Sequence, residues 1–451
     1  MFVRQIVTDN ALVTIGAAVH TGLRMRIQSI HCRIGAIACA IFVAGCSSSA
    51  SSNGADGGGG GMDLGSSCGD GFHDPTTASC WPAAHAPRSV SGSFQGATFD
   101  GRYVYFAPAN GSSATRYDAQ AAFDADSSWT TTDFAAGNAQ ALDYAGAVFD
   151  GRYVYFIPAL HAVVARLDTQ LDFASTAAWS QFDTTGLAAN AGNFAGATFD
   201  GRYLYVIPSD GPVLVRLDTQ SDFGAVSSWT ALTIPTNNSS GFFGGVFDGR
   251  YVYLIPGKSV AGEDLAVDRY DTEGAVDVAA SWSSFDITQV DSAAGGFRGG
   301  AFDGRYLYLV PWATSGVFGV AYGGVWRYDT MAAFGAQDSW SRFDTAQLSG
   351  APKGFFGAAF DGRYVYYVPA TPTAERIMAR FDSQGDFASA SSWSTFDMAK
   401  GNGDLADSYV GAVFDGQFIY FMPTTGGAVA HFDARSPPAL PALPAHHGSF
   451  F

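Results

Sequence analysis

One ten-residue stretch recurs seven times along the chain. It reads FDGRYVYFAP from Phe99, FDGRYVYFIP from Phe149, FDGRYLYVIP from Phe199 and FDGRYVYLIP from Phe247. It continues as FDGRYLYLVP from Phe302, FDGRYVYYVP from Phe360 and FDGQFIYFMP from Phe414. Successive copies begin 48 to 58 residues apart. A unit of this size, rich in aromatic and β-branched residues, cannot bury its own apolar surface, so neighbouring copies must stack to make a core. Seven such units predict an all-β, seven-bladed β-propeller and argue against a sandwich.

Each unit reads as four strands, A to D. Strand A is short and built from small residues, as in GGAF at Gly299–Phe302, which suits the crowded axis of a propeller. An Asp-Gly pair follows, the preferred chemistry of a two-residue type I′ hairpin whose central residues both take positive φ. Strand B is apolar at odd and even positions alike, as expected where both faces of a blade are covered. All seven B strands end on a proline, which stops the ladder. Strand C carries RYD or a variant: Arg116–Asp118, Arg166–Asp168, Arg216–Asp218, Arg269–Asp271, Arg327–Asp329, Arg380–Asp382 and, last, His431–Asp433. Strand D opens on Trp129, Trp179, Trp229, Trp282, Trp340 or Trp393. Burying each indole contributes about 2–3 kcal/mol.

Six such tryptophans serve seven blades, because the seventh unit stops after strand C at HFDARSPP. From each Trp to the Phe of the next FDG turn the offset is 18 to 21 residues, and from Trp81 to Phe99 it is 18. This predicts four-stranded blades in a ring closed by an N-terminal strand around Trp81, with Pro82 tolerable only because that strand is outermost.

Sevenfold recurrence also sorts the charged residues. The turn aspartates (Asp100, Asp150, Asp200, Asp248, Asp303, Asp361, Asp415) are read as structural. The arginines two residues on (Arg102, Arg152, Arg202, Arg250, Arg305, Arg363, with Gln417 last) are expected to pair with a carboxylate such as the strand-C Asp. A residue needed in every blade serves the fold, whereas a catalytic residue is normally unique.

The YVY strand, the YD strand and the Trp, at about fifty residues per unit, resemble the kelch or galactose-oxidase-type propeller over residues 81–435. The double glycine of kelch repeats is absent, and Val-Pro or Ile-Pro stands near its place. The resemblance implies the architecture and no particular activity, since one fold serves binding and catalysis alike.

The N-terminus reads as an export signal. MRIQSIHCRIGAIACAIFVAGC, from Met25 to Cys46, has a basic start, about a dozen apolar residues and small residues before a cysteine. Residues 1–45 are assigned as signal peptide, with Met25 the alternative start. The VAGC end resembles a bacterial lipobox, which implies lipidation at Cys46; ordinary cleavage with Cys46 incidental is the alternative. With Ser47 next, the resemblance points to the outer membrane or cell surface. Residues 46–67 form a Gly/Ser-rich tether, 68–435 the propeller with its closing strand, and 436–451 a Pro-rich tail. Cys68 and Cys80, the pair left in an oxidising compartment, are expected to form a disulfide.

Net charge is −17. Removing residues 1–45, which hold four Arg and one Asp, leaves 20 basic against 40 acidic side chains. Such a surface repels phosphate backbones and anionic lipid, so nucleic-acid binding is excluded and membrane contact is expected only through a lipid anchor. No cofactor or metal site is expected, and a monomer is. The B–C and D–A loops, which share one face, carry the length variation in blades four to six. Phe243, Asp264, Arg298, Trp312, Tyr322, Lys353 and Phe356 lie there and make the candidate binding face. The expected function is binding of a protein or glycan partner by a cell-envelope lipoprotein. The alternative is an extracytoplasmic carbohydrate-active hydrolase or lyase using a carboxylate pair.

Overall fold

In a computed structural model of the protein, the seven repeats form seven four-stranded antiparallel sheets, each with strand order A-B-C-D. The structure describes residues 6–8, 11–13, 84–85, 92–135, 137–236, 241–257, 265–314, 320–369, 376–398, 409–424 and 428–434. Cys46, Cys68, Cys80, Trp81 and Asp264 lie outside the described residues, as do the expected tether and tail. A separate unit, Met1–Gly58, contains a hairpin of Ile6–Thr8 with Ala11–Val13.

Blade 5 is representative: A is Phe297–Phe302, B is Tyr306–Pro311, C is Gly324–Asp329 and D is Trp340–Asp344. The A strands pack against one another around the ring, that of blade 7 (Tyr409–Phe414) meeting that of blade 1 (Phe94–Phe99). Every B strand is buried almost throughout on both faces. The fourth strand of blade 7 comes from the N-terminal side, Ala84–His85, with Ala84 opposite His431 and His85 opposite Ala430. Its register differs from that of the other blades. Opposite Arg116 stands Thr130, the residue directly after Trp129. Ala84 takes that place opposite His431 but lies three residues after Trp81. Pro82, which has no N–H to give the ladder, intervenes.

The FDGRY turn is a capped hairpin, not the type I′ turn that Asp-Gly suggests. Asp100 N–H bonds the Tyr103 carbonyl at 3.1 Å, so the central pair is Gly101–Arg102. Gly101 has φ of 101°, and none of the seven aspartates has positive φ. Glycine at the first central position is the type II′ pattern. Asp100 stands before the turn, where its Oδ1 accepts from the backbone N–H of Arg102 (2.8 Å) and Tyr103 (2.6 Å). Its Oδ2 accepts from the buried Tyr105 hydroxyl at 2.8 Å. The Tyr-to-Asp bond recurs in all seven blades, at 2.6–2.8 Å.

The turn arginines do not form an anion-binding ring. Each is spent within its own blade on the strand-C Asp, as Arg102 on Asp118 at 2.8 Å and Arg305 on Asp329 at 2.7 Å. Gln417 reaches Asp433 in the same way at 3.3 Å. The hydrogen bond from Arg102 holds the Asp118 carboxyl below the ordinary carboxylate range.

Blades are joined by aromatic contacts. Trp340 stacks on Phe285 of blade 4 (ring centroids 4.6 Å apart, planes at 8°), and its Nε1 donates to the Phe334 carbonyl at 3.0 Å. The strand-C Arg116 lies between Tyr103 of its own blade and Phe173 of the next, 4.2 and 4.7 Å from the ring centroids. In blade 7 His431 fills that slot between Phe418 (4.7 Å) and Phe123 (3.9 Å). Burial pulls its imidazole down to about 4, so it packs as a neutral ring.

Asp268, in strand C of blade 4 (Ala266–Asp271), is fully buried and accepts from Thr236 Oγ1 at 2.7 Å and from Ser284 Oγ. Burial pushes its carboxyl up to about 6 despite these two donors. The folded state therefore holds this proton where the unfolded chain releases it. The resulting stabilisation is complete below about pH 4, falls as pH rises through 4 to 6, and is absent above that. The loss is on the order of 2–3 kcal/mol. Asp268→Asn is expected to flatten this part of the stability curve in urea titrations from pH 4 to 8. An unchanged slope would assign the pH dependence to other groups.

Candidate functional site

The seven A strands share a pattern that the loops obscure: FQGATF, YAGAVF, FAGATF, FFGGVF, FRGGAF, FFGAAF and YVGAVF. Position one is aromatic, position three is glycine and position six is phenylalanine. The register slips at this glycine in every blade, a β-bulge that turns the preceding residue away from the ladder. Glycine is needed there because adjacent blades meet backbone to backbone. A Cβ on Gly96 would lie 2.6 Å from Gly146 Cα, and one on Gly357 would lie 2.7 Å from Gly411 Cα.

Position two varies most in size and polarity, and it is half-buried in all seven blades: Gln95, Ala145, Ala195, Phe243, Arg298, Phe356 and Val410. Since A strands are innermost and D–A loops lead into them, these side chains ring one mouth of the central channel. Blades 4, 5 and 6 place Phe243, Arg298 and Phe356 side by side. The Arg298 guanidinium carbon lies 3.6 Å from the Phe243 ring centroid and 4.6 Å from that of Phe356. Trp312, the residue after strand B of blade 5, adds a third ring at 5.0 Å and meets Phe356 edge-on at 5.3 Å.

Among the described residues Arg298 has no acidic partner. Its Nε and Nη1 are buried and make no hydrogen bond. Desolvation pulls its guanidinium down to about 9, so it stays charged at neutral pH with only π faces around it. Rings at these distances return part of the desolvation cost, of order 0.5–2 kcal/mol each. The contrast with the turn arginines, each bonded to a carboxylate, is complete.

Four of the seven expected binding residues, Phe243, Arg298, Trp312 and Phe356, thus converge. Tyr322 does not present an exposed ring. It is buried, with its hydroxyl bonded to Asp291 Oδ2 (2.6 Å), Arg342 Nε (3.1 Å) and Trp326 Nε1 (3.3 Å). Its backbone N–H bonds the Trp312 carbonyl at 3.0 Å, so it holds the base of the loop that presents Trp312. Lys353 is exposed on the loop before strand A of blade 6 (Phe355–Phe360). Gly257 escaped the loop-by-loop reading: a Cβ there would lie 1.8 Å from Phe243 Cδ2, so its bareness makes room for that ring. Aligning the residues after the B-strand prolines, where Gly257 and Trp312 correspond, is the signal that finds it.

Two cavities lie elsewhere. One of about 220 Å³ is lined by Phe134, Asn138, Trp179 and Gln181. The other, of about 400 Å³, is lined by Thr185, Asn190, Asn193 and Asp210.

Among solved structures, the virginiamycin B lyase of Staphylococcus aureus matches with a TM-score of 0.52 at 12% identity, over 78% of this chain and 99% of that one. YCF48 bound to D1 peptide matches with a TM-score of 0.52 at 11% identity, over 80% and 97%. The hydrazine synthase of Kuenenia stuttgartiensis matches with a TM-score of 0.54 at 14% identity, over 77% and 97%. At such identities the likeness shows the propeller fold alone. No family model matches the chain, and no curated protein does.

Two tryptophans should separate fold from site. Trp340→Ala removes a buried blade contact and is expected to cost about 3–5 kcal/mol. Trp312→Ala empties a half-exposed position and should cost about 1 kcal/mol or less. Thermal unfolding followed by circular dichroism checks this; equal losses would make Trp312 a structural residue.

Proposed function

We propose that the protein is a cell-envelope lipoprotein, anchored through Cys46, whose channel mouth on the B–C/D–A face binds an exposed polypeptide segment of a partner. The observation that carries the reading is the arginine caged by Phe243, Trp312 and Phe356 at the most variable position of an otherwise repetitive ring. Structure that serves the fold recurs in every blade, and this cluster occurs once. A polypeptide suits it better than a glycan. Sugars stack on open aromatic faces, and here the guanidinium already lies over the rings, at 3.6 Å in the case of Phe243. That YCF48, a propeller of similar fold, is bound to D1 peptide supports a peptide as the class of ligand. The basic, apolar and small-residue order before Cys46 supports the anchor.

Random peptides displayed on phage and selected on the full-length protein test the binding reading. Selected sequences should lose about tenfold or more in affinity on Trp312→Ala, as expected for a central aromatic contact. Failure to select any peptide, or equal binding to that variant, overturns the reading. For the anchor, Cys46→Ser should move the protein from the membrane to the soluble fraction; retention in the membrane fraction would rule it out.

A further inference from the structure

We infer that Arg298 is a carboxylate-binding subsite: it receives a single carboxylate of the bound segment, approaching along the channel axis. The inference rests on the polypeptide reading above and names the chemistry that the segment must carry.

Three observations point to it. First, the guanidinium brings an uncompensated charge into a half-buried ring of side chains. Its Nε and Nη1 are closed off without an acceptor, which leaves Nη2 as the open edge. Groups of this kind are paired in folded proteins, because an unpaired buried charge costs far more than a paired one. The six turn arginines each hold an aspartate at 2.7–2.8 Å, and the strand-C arginines, such as Arg116, lie between rings in nearly every blade. Among the described residues Arg298 is the one ringed arginine at the channel mouth, with both Nε and Nη1 closed off. It meets rings in place of an acid there, and the proposal places that acid on the bound segment.

Second, the side chains facing Arg298 across the ring are less bulky than its cage. In a ring of seven, the positions across the channel from blade 5 belong to blades 1 and 2, where the equivalent residues are Gln95 and Ala145. Both are smaller than the rings around Arg298, and Gln95 offers an amide. The proposal has the carboxylate approach from that side.

Third, the surroundings select among anions. Polyanions require several cations to displace their counterions, whereas the site offers one guanidinium on a chain of net charge −17. A single carboxylate can accept from the one open nitrogen, Nη2. Phe243, Trp312 and Phe356 give the cage an apolar wall for the residue that bears it. The carboxylate can be a chain terminus or an Asp or Glu side chain, and the test separates the two.

The Nε–Hε resonance of Arg298, assigned in full-length protein by its loss in Arg298→Lys, gives a direct readout. Three probes are titrated: N-acetylphenylalanine, its amide, and N-acetylphenylalanyl-glutamate with an amidated end. The expected result is that at least one carboxylate probe shifts this resonance and binds about tenfold or more tighter than the neutral amide. The first probe would mark a terminal carboxylate, and the third a side-chain one. Affinity measured by calorimetry should fall in Arg298→Lys, which keeps the charge but not the planar head held between the rings, and fall further in Arg298→Met. Thermal unfolding of each variant confirms that it is folded, and Phe356→Leu, which retains the arginine, should keep the preference for carboxylate over amide. Equal binding of the amide, or no shift with any probe at millimolar concentration, overturns the inference. Selected phage peptides that bind Arg298→Met undiminished would also overturn it while leaving the peptide-binding reading intact.

Discussion

The carboxylate at the start of each FDGRY turn is the interaction on which the rest of the propeller depends. One aspartate satisfies two backbone N–H groups of the tight turn and the hydroxyl of a fully buried tyrosine two strand positions further on. Without it, a buried phenol and two turn amides would lose their partner, at about 1–3 kcal/mol for each unsatisfied group. The same bond fixes the A–B register, because the tyrosine that reaches back must sit five residues after the aspartate. With A and B locked, the tyrosine before it lies under the strand-C arginine, and that arginine touches the next blade. A single turn thus orders strand, blade and ring in sequence.

Repetition of this device has a consequence for function. Most charged residues of the repeat are consumed by it: the turn Asp by amides and phenol, the turn Arg by the strand-C Asp, the strand-C Arg by aromatic rings. Chemistry directed outward must come from positions the device leaves alone. The bulge before the axial glycine is such a position. It is re-aimed by the backbone and, in blades 4 to 6, close to its counterparts in adjacent blades, so a single change there is felt by its neighbours. Alanines in blades 2 and 3 and two phenylalanines and an arginine in blades 4 to 6 make the ring lopsided. The asymmetry arises from residue choice alone, on a backbone that is nearly sevenfold.

Where a repeat diverges without losing the fold, the replacement is physically conservative. His431 loses the charge of the arginine it replaces and keeps the flat shape that the slot between Phe418 and Phe123 requires. Gln417 keeps a hydrogen bond to Asp433 where the other blades have an ion pair. Asp268 departs further, a carboxylate where blades 2 and 3 have Ala165 and Val215, and it is tolerated because two hydroxyls face it.

The sequence by itself determined the number of blades, the strand order, the burial of strand B, the pairing of the turn arginines and the N-terminal origin of the closing strand. These follow from periodicity and composition, which are properties of the chain read in order. The turn type was not legible in that way. Asp-Gly is compatible with two hairpins, and the choice rests on a side chain accepting from amides two and three residues away. The site was legible only in part. Phe243, Arg298, Trp312 and Phe356 stood out as irregular loop residues, but so did Tyr322, which turned inward to bond Asp291 and hold the base of the Trp312 loop. What decided between them is the closing of the ring. It brings position two of strands about fifty residues apart to one axis, and no local pattern records which of those side chains will meet there or which will be left without a partner.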